Sequence, residues 1–262
     1  YSRAIEVIRR NLTASGFTAC SVEDNRFHGT DENYRAVWAR DGALTVLWTL
    51  GLDDPDIRHG QLRTLETLFS RQARNGQIPA SVNIDTGEPE YEGVGGIWSI
   101  DSVLWLIIAA YDLAEVTGDW SILDAHTKEI HKAMQWLEAL DSNNCGLLEI
   151  PEAGDWTDLF ARSYHVFYDE VLWQRALCCY SRILRYFGQR RMPSDIKPSP
   201  IRCGEKSSAP FGPQRTVKGS TAATFPLPKR SIPWAMRGIS SPSSRRSASP
   251  GDVMSMPTSW RI

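Results

Sequence analysis

The sequence predicts an all-α fold of antiparallel helix pairs, and three observations carry that expectation. Apolar residues recur at helical spacing in about six segments. Short connections alternate with long ones, as between helices that run back and forth. No stretch shows the alternation of a strand ladder.

Taken in order, Ile5, Ile8 and Leu12 mark a first helix that Gly16 should end, and residues 15–37 read as loop or short strand. An apolar helix follows over 43–50 and stops at Gly51. Asp53-Asp54-Pro55 then caps a helix over about 56–72, with Leu62, Leu65, Leu68 and Phe69 on one face. Asn75-Gly76 is a turn, and the loop to Gly96 is rich in Gly, Pro and acids, a composition that in a compact domain points to function or mobility. Ser99 or Asp101 opens the next helix, which closes at Thr117-Gly118-Asp119. A further helix over 121–140 turns Ile130, Met134 and Leu137 inward, and a last one covers 166–186. Trp48, Trp105, Trp136 and Trp173 lie at helical spacing among apolar residues and are expected in the core. His126, His131 and His165 are isolated and take no role.

The net charge of −2 over 262 residues hides a split. Residues 1–189 carry 16 basic against 28 acidic side chains, whereas residues 190–262 carry 13 against 3 and hold eleven of the 15 prolines. The acidic body argues against a nucleic-acid partner, because it repels phosphate. The tail has no apolar periodicity and is expected to be disordered, or to be read out of frame; its basic Ser/Arg character also fits RNA or an anionic surface. The longest apolar run, Val103 to Tyr111, is too short to span a bilayer. Five cysteines, an odd number without CxxC or Cys/His spacing, suggest neither a disulfide framework nor zinc. A soluble protein of a reducing, cytoplasmic compartment is expected, with no metal and no cofactor; oligomeric state is left open.

The chemistry is expected in Glu152-Ala153-Gly154-Asp155-Trp156-Thr157-Asp158, ahead of Arg162. Three carboxylates crowded beside an indole repel one another and lose water, and both effects raise a carboxyl pKa toward the range of a proton donor. An indole also suits the C–H face of a sugar ring. The competing reading is a helix entry, with Asp155 or Thr157 as N-cap and Asp158 in the first turn. Similar polar clusters, 38–41 and 77–101, precede other helices, and in an antiparallel bundle that spacing gathers them at one end.

These clusters, in this order, resemble the (α/α)6-toroid glycoside hydrolases, among them the alkaline/neutral invertases, trehalases, mannosyl-oligosaccharide glucosidases and amylo-alpha-1,6-glucosidase or glycogen-debranching proteins. Val37-Trp38-Ala39-Arg40-Asp41 is similar to their first-subsite motif, and Gly76-Gln77-Ile78-Pro79 to their Gly-x-Ile-Pro turn. Ile100-Asp101-Ser102-Val103-Leu104-Trp105, running to Thr117-Gly118-Asp119, looks like the Asp-Ser-x-Leu-Trp helix of the invertases. Trehalases place their acid in Glu-x-Gly-Trp-Asp with an Arg four residues on; here Glu152-Ala153-Gly154 opens the stretch and Arg162 follows Asp158 by four.

The resemblance implies an inverting glycosidase acting on an α-glucosidic oligosaccharide, of debranching or invertase type. Asp158 would be the general acid, with Asp155 the alternative. Asp41 would bind sugar hydroxyls, Arg40 would hold Asp41 ionised, and Trp38 would stack on the ring. Asp101, Gln77, Glu152 and Trp156 complete the expected substrate contacts. A whole toroid needs twelve helices, on the order of 300 residues, so residues 1–189 are expected to form its first half, without the second carboxylate that stands about 6.5–9.5 Å from the acid. The alternatives are a sugar-binding or inactive fragment, or another helical-toroid enzyme such as a sugar epimerase or isoprenoid cyclase.

Overall fold

The structure is a computed structural model that describes residues 2–23, 34–93, 96–158 and 160–190. These residues fall in one compact unit, and the expected change of character from residue 190 onward lies outside the described residues, Arg190 excepted. The fold is mostly helical, with seven helices among the described residues. In chain order come α1 (Ser2–Arg10), β1 (Leu12–Thr13), β2 (Gly16–Phe17), β3 (Ala36–Trp38), α2 (Ala39–Trp48) and α3 (Pro55–Ser70). They are followed by β4 (Ser81–Asn83), β5 (Pro89–Glu90), α4 (Asp101–Thr117), α5 (Ser121–Ala125), α6 (Thr127–Glu138) and α7 (Phe167–Arg190). Among the described residues no helix is long and apolar enough to cross a membrane.

Helix α4 is the centre. Its residues are apolar nearly all round, the pattern of a helix with no solvent face. From Ser102 to Leu104 and Leu106 to Tyr111 the side chains are buried. It packs against α2 on one side and α7 on another. Gly118, in the left-handed region at φ 69°, ends it as the C-cap. α3 starts where Asp54 accepts hydrogen bonds from the amides of Asp56 (3.1 Å) and Ile57 (3.2 Å), with Pro55 at its first position. Leu65, Leu68 and Phe69 of α3, and Ile130, Met134 and Leu137 of α6, enter the same core.

Several expectations need correction. Two small sheets are present among the described residues: β1 pairs with β2, and β3–β4–β5 form an antiparallel sheet with Val37 opposite Val82 and Trp38 opposite Ser81. Strands of two or three residues are too short to show an alternating pattern. α2 begins at Ala39, four residues early, because β3 runs straight into it; the Ala39 amide donates to the Ala80 carbonyl (2.8 Å). The helix expected over 121–140 breaks at His126, whose ring stacks on Phe69. Trp48 is not core: as the last residue of α2 it is 81 % exposed. Trp105 and Trp136 are partly buried against the core, and Trp173 is within it.

The turn after α3 is held by close contact. Gly76 has φ +100°, and a Cβ there would meet the Lys132 carbonyl oxygen at 2.2 Å. Both conformation and space therefore require glycine. Gly76→Ala should lower unfolding free energy by about 2–4 kcal/mol, measured by urea denaturation; a loss within error of zero would refute this account of the turn.

Candidate functional site

Segments distant in sequence meet at a cavity of about 270 Å3 lined by Tyr34, Trp38, Arg40, Asp41, Ser99, Ser102 and Asp158, with Ala19, Ala80 and Gly93 closing its walls. The geometry follows from the fold. β3 delivers Trp38 to the mouth, and the β3–α2 junction places Arg40 and Asp41 in the first helical turn, one residue apart. The N-terminus of α4 brings Ser99 and Ser102, and the irregular loop 150–164 brings Asp158.

Asp101 is not the N-cap of α4; it is the first helical residue, and Ile100 before it makes no side-chain cap. Its carboxylate is fully buried and does not reach the cavity. Instead it receives the Arg40 guanidinium as a fork, Nε at 2.6 Å and Nη2 at 2.8 Å. The Ser99 hydroxyl (3.0 Å) and Tyr168 hydroxyl (3.1 Å) also donate to it, and Trp105 Nε1–H donates to the Tyr168 oxygen (2.8 Å). Ser99 and Ser102 share a hydrogen bond of 2.6 Å. Burial works against the Arg40 charge, but the bond to Asp101 and its negative charge outweigh it. Arg40 thus forks onto Asp101 rather than bonding Asp41, while its charge still favours the ionised form of Asp41.

Asp41 is open to solvent at the cavity mouth while protein surrounds it on its other sides. Desolvation raises its carboxyl pKa, Arg40 opposes this, and Asp101 and Asp158 add to the rise. Asp158 is also raised, first by burial and then by the charges of Asp101 and Asp155, against the pull of Arg40. Among the described residues, two carboxyls of weakened acidity therefore share the cavity with one cation.

The remaining expected residues lie elsewhere. Asp155 is buried, paired with Arg162, and takes hydrogen bonds from the Thr157 amide (2.8 Å) and hydroxyl (2.5 Å). Burial raises its pKa, but the Thr157 and Arg162 contacts outweigh that and hold it below the usual carboxylate range. Trp156 is 53 % exposed, edge-on to Tyr168. Glu152 is exposed and does not line the cavity. Gln77 donates to the Tyr91 carbonyl (3.2 Å) and also stays outside it. Tyr34, Ser99, Ser102 and Tyr168 were not foreseen; only their proximity in sequence to the polar clusters could have flagged them. Glu170, close behind Tyr168 on α7, accepts from the Leu148 amide (2.9 Å).

Comparison with family models finds no match, and no curated protein matches the chain. Among the described residues no group of three or more His, Cys, Asp or Glu could hold a metal ion.

Removing Arg40 would leave Asp101 buried and uncompensated. Arg40→Ala should cost about 3–5 kcal/mol, while Arg40→Lys, which keeps the charge but loses the fork, should cost less. Denaturant unfolding of both variants tests the order, and an Arg40→Ala loss under about 1 kcal/mol would refute it.

Proposed function

We propose that the cavity binds a saccharide and that the chain is a glycoside hydrolase of inverting type, built as part of an (α/α)6 toroid. One observation supports this most: Trp38, Arg40, Asp41 and Asp158, from separate segments, line a single cavity. A sugar needs an aromatic face for its C–H surface and charged acceptors for its hydroxyls, and this set supplies both. A volume of about 270 Å3 suits a ligand of one or two rings. In this reading Trp38 stacks on the ring and Asp41 accepts hydrogen bonds from two hydroxyls. Asp158 protonates the departing glycosidic oxygen. Its raised pKa keeps part of it protonated as the pH climbs, which a proton donor requires.

Asp155 is not assigned the acid role, because its proton is displaced by Arg162 and Thr157. Asp101 becomes a support for Arg40, and no base that would activate water is assigned among the described residues. That last point favours a second reading, saccharide binding without turnover. The α-glucosidic linkage is proposed from the motif resemblance.

Calorimetric titration of the full chain with maltose, sucrose, trehalose and a branched maltooligosaccharide tests the reading, alongside release of free sugar. Trp38→Ala and Asp41→Ala should each weaken binding about tenfold or more, a loss of about 1.4 kcal/mol. Asp158→Asn should keep binding. If turnover occurs, this variant should abolish it, and wild-type kcat/KM should fall toward alkaline pH as Asp158 loses its proton. Saccharide binding without release selects the second reading. No binding by any of the four sugars sinks both.

A further inference from the structure

We propose that Asp169 is kept as a neutral carboxylic acid that donates its proton to the Asp155 carboxylate, and that this shared proton holds the Asp158-bearing loop against α7. The structural argument needs no assumption about function; its consequence for Asp158 rests on the saccharide reading above.

Asp169 is 0 % exposed, and among the described residues neither carboxyl oxygen has a hydrogen-bond donor. A carboxylate in that position would be a buried anion with no compensation, which costs more than taking up a proton. Its charged surroundings come from three elements. From α4, Asp101 is committed to Arg40 of α2. From the loop come Asp155 and Arg162, committed to each other. On α7 itself, Tyr168 donates to Asp101 and Glu170 accepts from Leu148. The cations Arg40 and Arg162 are thus matched by Asp101 and Asp155, and an ionised Asp169 would be a surplus negative charge in their midst.

Arg162 cannot supply the missing donor. Its Nη2 is used by Asp155, its Nε is buried without an acceptor among the described residues, and it makes no bond to Asp169. Among the described residues, the carboxylate within hydrogen-bond reach of the Asp169 side chain is that of Asp155. As an acid, Asp169 donates to it; as an anion, it can only repel it. Burial and the charges of Asp101 and Asp155 accordingly push Asp169 up to about 8, with Arg162 opposing. Asp155 is the hub of its loop: its side chain receives Thr157, and its carbonyl receives the Asp158 amide (3.2 Å). Asp169 is therefore a positioning residue for Asp158.

The sign of the pH dependence follows. An acid with a folded pKa raised above the unfolded value of about 3.9 stabilises the fold fully below that unfolded value. The contribution declines as pH rises and is gone once the folded pKa of about 8 is passed. Asp169→Asn is neutral at every pH and keeps a donor for Asp155, so it lacks this decline. Thermal unfolding of the full chain and of D169N should give a Tm difference that moves in favour of D169N by on the order of 5 °C between about pH 5 and pH 9.

Infrared spectroscopy of the wild-type chain reads the proton directly. A protonated-carboxyl carbonyl band should be present at about pH 6, vanish with a midpoint near 8, and be missing from D169N. If D169N does not fold, the Asp158→Asn chain decides: a band that persists there and titrates near 8 belongs to Asp169, and its loss there overturns the proposal. A band already lost below about pH 5, or a Tm difference independent of pH, overturns the proposal. If the band titrates as described but no saccharide binds, the saccharide reading fails and this one stands. Binding without the band leaves the reverse.

Discussion

The Arg40–Asp101 pair is the constraint from which the site is built. A fully buried carboxylate at the first residue of a central, apolar helix is unfavourable unless its charge and lone pairs are met. Four donor atoms meet them: two from the Arg40 fork, one from Ser99 and one from Tyr168. The three donor residues come from different parts of the chain, so satisfying one carboxylate fixes α2, the approach to α4 and the start of α7 together. Arg40 is left with part of its guanidinium on the cavity, where its charge lowers the pKa of both Asp41 and Asp158. A single cation thus serves the core and tunes the surface that faces a ligand.

The loop 150–164 meets a different requirement. Ala153, Asp158 and Tyr164 all have positive φ (61°, 51° and 69°). Asp tolerates the left-handed region; Ala and Tyr do so at a cost of about 1–3 kcal/mol each. That conformation persists because the loop is held at several points. Ile150 and Tyr164 exchange backbone hydrogen bonds (3.0 and 2.7 Å), and the Ile100 amide donates to the Gly154 carbonyl (2.9 Å). Asp155 and Arg162 clamp the interior. The bonds from Gly154 and Asp155 place Asp158 relative to the start of α4, so the strain in the loop is offset by the same contacts that aim its carboxyl.

Much of this was legible in the sequence, and the reasons for the rest are physical. The helices announced themselves through apolar spacing, and Asp54-Pro55 and Gly118 fixed two of their ends by local capping chemistry that needs no tertiary partner. Trp38, Arg40, Asp41 and Asp158 were legible as polar residues beside helix starts. Who pairs with whom was not: Arg40 is adjacent to Asp41 in sequence but bonds Asp101, because a helix start presents consecutive residues about 100° apart. The crowding of Glu152, Asp155 and Asp158 suggested three carboxyls in one environment. The loop turns them instead to solvent, to Arg162 and to the cavity, and the last two environments shift acidity in opposite senses, lowering the pKa of Asp155 and raising that of Asp158. The three-residue strands and the break at His126 depend on tertiary contacts that a pattern of apolar residues does not encode.

The balance of charge at the cavity bears on what it can hold. Asp41 and Asp158 face it with Arg40, whose fork is already occupied by Asp101, so the field presented to a ligand is not cationic. A phosphate or carboxylate ligand would approach two carboxyls without gaining a free bidentate partner, and would lose hydration for little return. A cationic ligand would find the carboxyls but also Arg40 in the same cavity. A neutral, polyhydroxylated ring avoids both penalties: each hydroxyl can donate to a carboxylate or accept from the cation. Carboxyls of raised pKa suit such a ligand further, since a partly protonated Asp158 presents both a donor and an acceptor to one oxygen-rich molecule. The same feature that would make Asp158 a proton donor to a glycosidic oxygen therefore also favours an uncharged sugar over an ion as the occupant.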